Sequence, residues 1–169
     1  METNKNNSLW GRLFKSMDHT NPWAKRVSSL WSETPLFDHI PKRKIALLVK
    51  NMHLRKYQLG EYIFHSGDQG VGAALVLSGK IEIKAGDVVL ATLNEGDFFG
   101  EISLVLDERR TADAVAISDT ELVFFIRPEF DKWIRRAPQY GALLGSNLAH
   151  ILAKQLSHAN SMLADKGES

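Results

Sequence analysis

Residues 74–84 read ALVLSGKIEIK, and this stretch indicates the fold class. Ile81 and Ile83 alternate with charged residues, which is the period of two expected for a strand with one buried face. A continuous apolar run, residues 74–77, comes just before, and Gly79 between the two runs suits a turn. The stretch therefore predicts two short, consecutive β-strands.

Short apolar runs of the same kind recur along residues 36–126, for example at residues 62–64, 88–90 and 121–126. Glycines separate these runs at positions 60, 67, 70, 72, 79, 86, 96 and 100. Many short strands with glycine turns are typical of an antiparallel barrel or jelly roll. We therefore predict an α+β protein, mainly β: an antiparallel β-roll (a double-stranded β-helix) flanked by N-terminal and C-terminal helices.

The segment before the roll has the period of helices. Within residues 8–34, one apolar face is formed by Trp10, Leu13, Phe14 and Met17, and another by Trp23, Val27, Leu30 and Trp31. Asn21 suits an N-cap, and Pro22 suits the first position of the second helix. Both faces would pack against the roll or a second subunit, and a membrane-surface anchor or a docking segment for a partner is possible but not favoured.

Three further helices are predicted, one before the strands and two after them. The first covers residues 41–51 and turns Ile45, Leu48 and Val49 inward. Pro128 opens the second, with Phe130, Trp133 and Ile134, and Pro138 opens the third. The third carries a broad stripe of Leu144, Leu148, Ile151, Leu152, Leu156, Ala159 and Leu163. The chain is thus divided into residues 1–35 (helical extension), 36–137 (roll) and 138–169 (long helix and tail).

Composition excludes several classes of protein. The 169 residues carry a formal net charge of +1 and contain no cysteine, so a disulfide framework and a thiolate metal site are excluded. No signal sequence or membrane-length apolar run is evident, which predicts a cytoplasmic protein. The six histidines are scattered, whereas a cupin-like metalloenzyme, the remotest alternative, needs them clustered with a carboxylate. We therefore predict no metal, no cofactor and no enzymatic activity.

The stretch with the most chemical information begins at Gly96 and ends at Ala112. Gly100 lets the backbone turn and lets a ligand approach. Residues 102–106 could form one helical turn whose free N–H groups attract an anion. Glu101 offers an acceptor for hydroxyl groups, and Arg110 offers a planar fork suited to phosphate oxygens. Together these groups describe a site for a sugar phosphate.

This stretch resembles the phosphate-binding cassette of the cyclic-nucleotide-binding domain family, found in the catabolite activator protein and in kinase regulatory subunits. The family pattern F-G-E-[LI]-[AS]-L, followed by P-R-[TSA]-A, is matched by residues 99–104 and 110–112. Residues 59–68 and 75–81 resemble two earlier family turns, and the likeness covers about residues 36–160. The sequence departs from the pattern at Arg109, where proline is usual, and at Asp113, where threonine or serine is usual.

The resemblance implies that the ligand is cyclic AMP or cyclic GMP and that Phe99, Gly100, Glu101, Ile102, Ser103, Arg110, Thr111 and Ala112 form its site. Glu101 would accept from the ribose 2′-hydroxyl, and Arg110 would pair with the cyclic phosphate. The N–H groups of Ile102 and Ser103 would cradle that phosphate, whereas Thr111 would not decide between the two bases. Gln155 and His158 on the last helix imply either a partly polar dimer seam or a contact to the base.

The function implied is a sensor that relays ligand binding through its helices to a protein partner or a homodimer. Direct DNA binding is not expected, because no helix-turn-helix follows the long helix before Ser169. The alternative is a scaffold that keeps the roll but binds no nucleotide, with Glu101 and Arg110 paired to each other. A cyclic dinucleotide is a further possible ligand.

Overall fold

The computed structural model describes residues 23–167, apart from the side chains of residue 158 and of residues 162–167. Its helices are α1 (Ala24–Ser32), α2 (Lys42–Val49), α3 (Ile102–Val105), α4 (Arg127–Arg136) and α5 (Pro138–Gly167), with a 3-10 turn at Pro35–Phe37. Its strands are β1 (His53–Tyr57), β2 (Tyr62–Phe64), β3 (Gly72–Ser78), β4 (Ile81–Ala85), β5 (Val88–Leu93), β6 (Phe98–Phe99), β7 (Asp113–Ala116) and β8 (Thr120–Ile126).

The strands form two four-stranded sheets, in the orders β1-β8-β3-β6 and β2-β7-β4-β5. Every neighbouring pair is antiparallel. An apolar cluster between the sheets contains Ile63, Val76, Ile81, Leu122 and Phe124. The two sheets and their shared interior confirm the predicted antiparallel β-roll.

Strand β3 is buried on both faces. Leu75 and Leu77 belong to the cluster beneath the helices, whereas Ala74 and Val76 belong to the cluster inside the roll. Because neither face meets water, the sequence of β3 is continuously apolar instead of alternating. Strand β4 has one face towards solvent, where Lys84 is partly exposed. Its sequence therefore alternates between apolar and charged residues.

The helices cover the outer face of the first sheet. Val27 and Trp31 of α1 are fully buried, and the Trp31 ring stacks on Phe37 at a centroid distance of 4.3 Å. The same ring meets Phe125 of β8 edge-on at 5.7 Å. The predicted second apolar face therefore packs against the protein's own roll. The first face, Trp10 to Met17, lies outside the described residues, and α1 begins at Ala24 with Trp23 as its N-cap instead of at the predicted Asn21 and Pro22.

The apolar stripe of α5 changes from buried to exposed along the helix. Leu144 and Leu148 are buried in the helical cluster, Ile151 and Leu152 pack at its edge, and Leu156 is 63% exposed. The inner half of α5 therefore belongs to the core, while the outer half extends past it. Within residues 23–167, no helix combines the length and apolarity that a bilayer crossing demands.

Three strands were not predicted from the sequence: β1, β6 and β7. The predicted short helix and the two helices opened by Pro128 and Pro138 are confirmed, as are the other strands within a few residues at their ends. Strand β1 reads HLRKY, which has little apolar content, and β6 has only two residues. Strand β7 reads DAVA and places the small residues Ala114 and Ala116 inside the roll, so it has no run of large apolar side chains.

Candidate ligand-binding site

A cavity of about 310 Å³ opens where the end of β6, helix α3 and the segment before β7 come together. Every residue predicted to form the site lines this cavity: Phe99, Gly100, Glu101, Ile102, Ser103, Arg110, Thr111 and Ala112. Phe64, Ile83, Leu93 and Phe98 supply apolar walls, and Gln155 closes one side from α5. The cavity therefore combines apolar walls with polar and charged side chains that can orient a ligand.

Arg110 is held in place by neutral partners. Its Nη2 donates to Gly72 O at 2.6 Å and its Nη1 to Gly100 O at 3.3 Å, while the guanidinium lies 4.1 Å above the ring centroid of Phe64. Burial lowers the pKa of Arg110 to about 10, although Glu101 and Asp68 act in the opposite direction. The side chain is still cationic at neutral pH. The ion pairs seen among residues 23–167 do not include Arg110, so its charge is available to an anion.

Gly100 is required where the chain passes Arg110. Its φ is +74°, in the left-handed region that favours glycine. A Cβ atom at this position would lie 2.5 Å from Arg110 Nη1, which is closer than real contacts allow. The glycine therefore makes both the turn and the close approach of the guanidinium possible.

Glu101 is buried, with 6% of its surface exposed, immediately before α3. Its Oε1 accepts a hydrogen bond of 2.9 Å from Gln155 Nε2, a residue 54 positions later in the chain. The structure thus joins Glu101 to α5 and not to Arg110. This arrangement differs from the alternative in which the two charged residues pair with each other.

Helix α3 is the single turn predicted after Glu101. Ser103 N donates to Gly100 O at 3.1 Å and Leu104 N donates to Glu101 O at 2.9 Å. The N–H group of Ser103, which the resemblance assigns to the phosphate, is thus already engaged within the turn. Ile102 stands at the cavity with 44% of its surface exposed.

The two departures from the family pattern have separate surroundings. Arg109 lines the cavity, and its Nη1 donates to Gly67 O at 2.6 Å. Asp113 Oδ1 accepts from Ser66 N at 2.7 Å and lies 3.6 Å from His65 Nδ1. The carboxylate of Asp113 therefore serves the turn before β3, and it is not among the residues that line the cavity.

Arg127 is a positioning residue that sequence reasoning missed. Its Nε donates to Ser103 O at 2.7 Å, and its Nη2 donates to Gly70 O at 3.0 Å and to Leu106 O at 2.5 Å. Its Nη1 also pairs with Asp107 at 2.8 Å, and this hydrogen bond lowers the pKa of the Asp107 carboxyl. Arg127 thereby fixes the C-terminal end of α3. No local sequence pattern predicts this role, because Arg127 is simply the first residue of α4, next to Pro128.

The side chains described within residues 23–161 form no cluster of three or more His, Asp or Glu that could hold a metal ion.

Comparisons with known proteins agree with this geometry. A family model described as the cyclic nucleotide-binding domain matches residues 54–137. The "Cyclic AMP receptor protein" of Thermus thermophilus is 36% identical over 132 residues, which are 75% of this chain and 59% of that protein. The chain thus spans less than two thirds of the length of this relative.

Solved structures extend the likeness to the fold. The crystal structure of the catabolite activator protein of Thermus thermophilus gives a TM-score of 0.70 at 35% identity, over 79% of this chain and 63% of that one. A cyclic nucleotide-binding domain from Methylobacillus flagellatus gives 0.78 over 98% of this chain and 96% of that one, at 16% identity, and this likeness concerns the fold alone. Through residues 54–137, the chain belongs to the cyclic nucleotide-binding domain family.

Proposed function

We propose that the protein is a sensor that binds a 3′,5′-cyclic nucleotide in the cavity beside α3. The observation that carries this proposal is that Arg110 and Glu101 line one cavity without pairing with each other. A cyclic phosphate would accept hydrogen bonds from Arg110, and the ribose 2′-hydroxyl would donate one to Glu101. Thr111 and Ala112 would lie beside the phosphate, Gly100 would lie next to the Arg110 guanidinium, and Phe99 would form part of the apolar wall.

Cyclic AMP is the first candidate among the possible ligands. The relative of 36% identity from Thermus thermophilus is named as a cyclic AMP receptor, which supports the choice. The apolar walls formed by Ile83 and Leu93 accept either purine, so cyclic GMP is the competing ligand. The proposed activity is reversible binding without a chemical step, it needs no cofactor, and we place it in the cytoplasm.

The bound state would be relayed through α5 to a protein partner or a second copy of the chain. Helix α5 touches the site directly through Gln155, and Leu156 next to it is exposed. A ligand shifts a conformational equilibrium only as far as its affinity differs between the two states. The contact between α5 and Glu101 is a place where such a difference can arise.

Isothermal titration with cyclic AMP and cyclic GMP tests the proposal. Arg110→Ala removes a desolvated charge-assisted contact, and we expect it to weaken binding by about 30-fold or more, equivalent to at least ~2 kcal/mol. Arg109→Ala is the matched control, because it removes a neighbouring arginine of the same cavity to which the proposal gives no ligand contact. Equal affinity for Arg110→Ala and the unchanged protein would contradict the assigned site. A complete absence of binding would favour the scaffold or a cyclic dinucleotide.

A further inference from the structure

In the proposed site, the carboxylate of Glu101 would accept a hydrogen bond from the ribose hydroxyl. It already accepts one from the protein itself. Gln155 Nε2 lies 2.9 Å from Glu101 Oε1. Glu101 is 6% exposed, whereas Gln155 is an exposed residue of α5. A buried carboxylate needs a hydrogen-bond donor, and here an amide from the outer half of α5 supplies it.

We propose that Gln155 is an internal competitor for the ribose subsite, and that it limits the affinity of the site for ligands with a free 2′-hydroxyl. The proposal rests on the proposed function of nucleotide binding. The proposal places the ribose hydroxyl on Oε1, the oxygen that the Gln155 amide already occupies, so that a ribonucleotide replaces the Gln155 contact. Ribonucleotide binding thus exchanges one hydrogen bond to Glu101 for another and adds none.

The exchange has a consequence for ligand selectivity. A 2′-deoxy cyclic nucleotide brings no donor to Glu101, so it can bind Arg110 while the contact between Gln155 and Glu101 stays intact. A ribonucleotide breaks that contact and forms its own. Gln155 therefore reduces the preference of the site for a ribose over a deoxyribose, and its removal should increase that preference.

The competing group is placed where it can leave at low cost. Gln155 follows Ile151 and Leu152, which pack only at the edge of the helical cluster, and it precedes Leu156, which is 63% exposed. Its displacement therefore involves only its own side chain or the outer half of α5, and it leaves Leu144 and Leu148 buried.

Gln155→Leu tests the proposal, because leucine keeps much of the side-chain size and removes the donor. Titration of the full chain with cyclic AMP should show roughly tenfold tighter binding than the unchanged protein, as expected for loss of a competing bond to a charged group. Binding of 2′-deoxy cyclic AMP should change less than about twofold on the same scale. Gln139→Leu, an exposed glutamine of the same helix, is the matched control and should leave both affinities unchanged.

Gln155→Ala is the second variant and guards against an effect of the leucine itself. Suppose that the unchanged protein binds cyclic AMP and that neither variant binds it more tightly than the unchanged protein does. Gln155 is then not a competitor, and the inference fails while the proposed function stands. If both ligands tighten equally, the effect does not run through the 2′-hydroxyl and the inference also fails. If neither the unchanged protein nor either Gln155 variant binds either ligand, the proposed function and the inference are overturned together.

Discussion

The guanidinium carbon of Arg110 lies 4.1 Å from the ring centroid of Phe64, which places one face of the cation on an aromatic ring. Strand β2 thereby supports a residue that comes much later in the chain. A cation held this way loses little freedom when an anion arrives at its free edge. Phe64 thus orients the group on which the proposed phosphate contact depends.

Phe64→Ala should therefore weaken cyclic nucleotide binding by about tenfold, the equivalent of ~1–2 kcal/mol for a partly desolvated cation–π contact. Titration calorimetry measures the change. Tyr62→Ala is a suitable control, because Tyr62 is on the same strand and stacks on His65, away from Arg110. Equal losses in the two variants would mean that the effect comes from strand β2 and not from the support of Arg110.

Arg127→Ala should loosen helix α3 and weaken binding with it. The substitution removes the donor from the carbonyl groups of Ser103, Gly70 and Leu106, and we expect a loss of about 2–4 kcal/mol in the free energy of unfolding. Hydrogen exchange of residues 102–107 should accelerate more than that of the strands.

Asp107→Asn separates the ion pair of Arg127 from its main-chain bonds. Asp107 has a highly exposed side chain, so this variant should have only a small effect on stability. Equal losses of stability in Asp107→Asn and Arg127→Ala would show that the ion pair, and not the carbonyl contacts, holds the turn.

Gly100→Ala should weaken nucleotide binding by about tenfold or more while the protein still folds. The added Cβ would collide with Arg110 Nη1, and the positive φ would cost about 1 kcal/mol in addition. Gly86→Ala is the matched control: Gly86 also has a positive φ, of 59°, but a Cβ there meets nothing within 4 Å. Titration and thermal unfolding of the pair separate displacement of Arg110 from backbone strain. Binding by Gly100→Ala at the original affinity would argue against the observed position of Arg110.

The stability of the protein should depend on the protonation of His53. Burial lowers the pKa of His53 below its ordinary 6.5, Arg55 acts in the same direction, and Glu129 opposes both. The folded protein therefore binds this proton less readily than the unfolded chain. The contribution of neutral His53 to the free energy of unfolding is complete above pH 6.5. It is lost as the pH falls from 6.5 through the lowered pKa of the folded state.

Urea unfolding between pH 8 and pH 5, on the order of one pH unit per step, measures the dependence on His53. His53→Gln should reduce the fall in the free energy of unfolding below pH 6.5. His150→Gln, an exposed histidine of α5, should leave it as it was. An unchanged slope in His53→Gln would show that another group carries the titration.

Much of the fold follows from local patterns. The alternation at Ile81 and Ile83 predicts β4, and the prolines at 128 and 138 predict the starts of α4 and α5. The site residues 99–104 and 110–112 could be named because they are close together in the chain and match a family pattern. Such features depend on neighbours in sequence, which is why one sequence suffices to find them.

Other parts of the site depend on contacts that no local pattern encodes. Gln155 and Glu101 are 54 positions apart, and Arg127 and Ser103 are 24 apart, so each pair meets only once the roll has closed. The stripe on α5 predicts an apolar face but not the point where its burial stops. That point lies between Leu148 and Leu156, where α5 passes beyond the 3-10 turn and α4, on which its inner half packs.

The burial of β3 on both faces has a consequence for how the molecule comes apart. Leu75 anchors the helical layer and Val76, its immediate neighbour, anchors the interior of the roll, so both layers are built on one strand. Loss of that strand would expose two cores at once. We therefore expect the helical layer and the roll to melt in a single cooperative step, so that a stretch of seven residues sets the thermal tolerance of both.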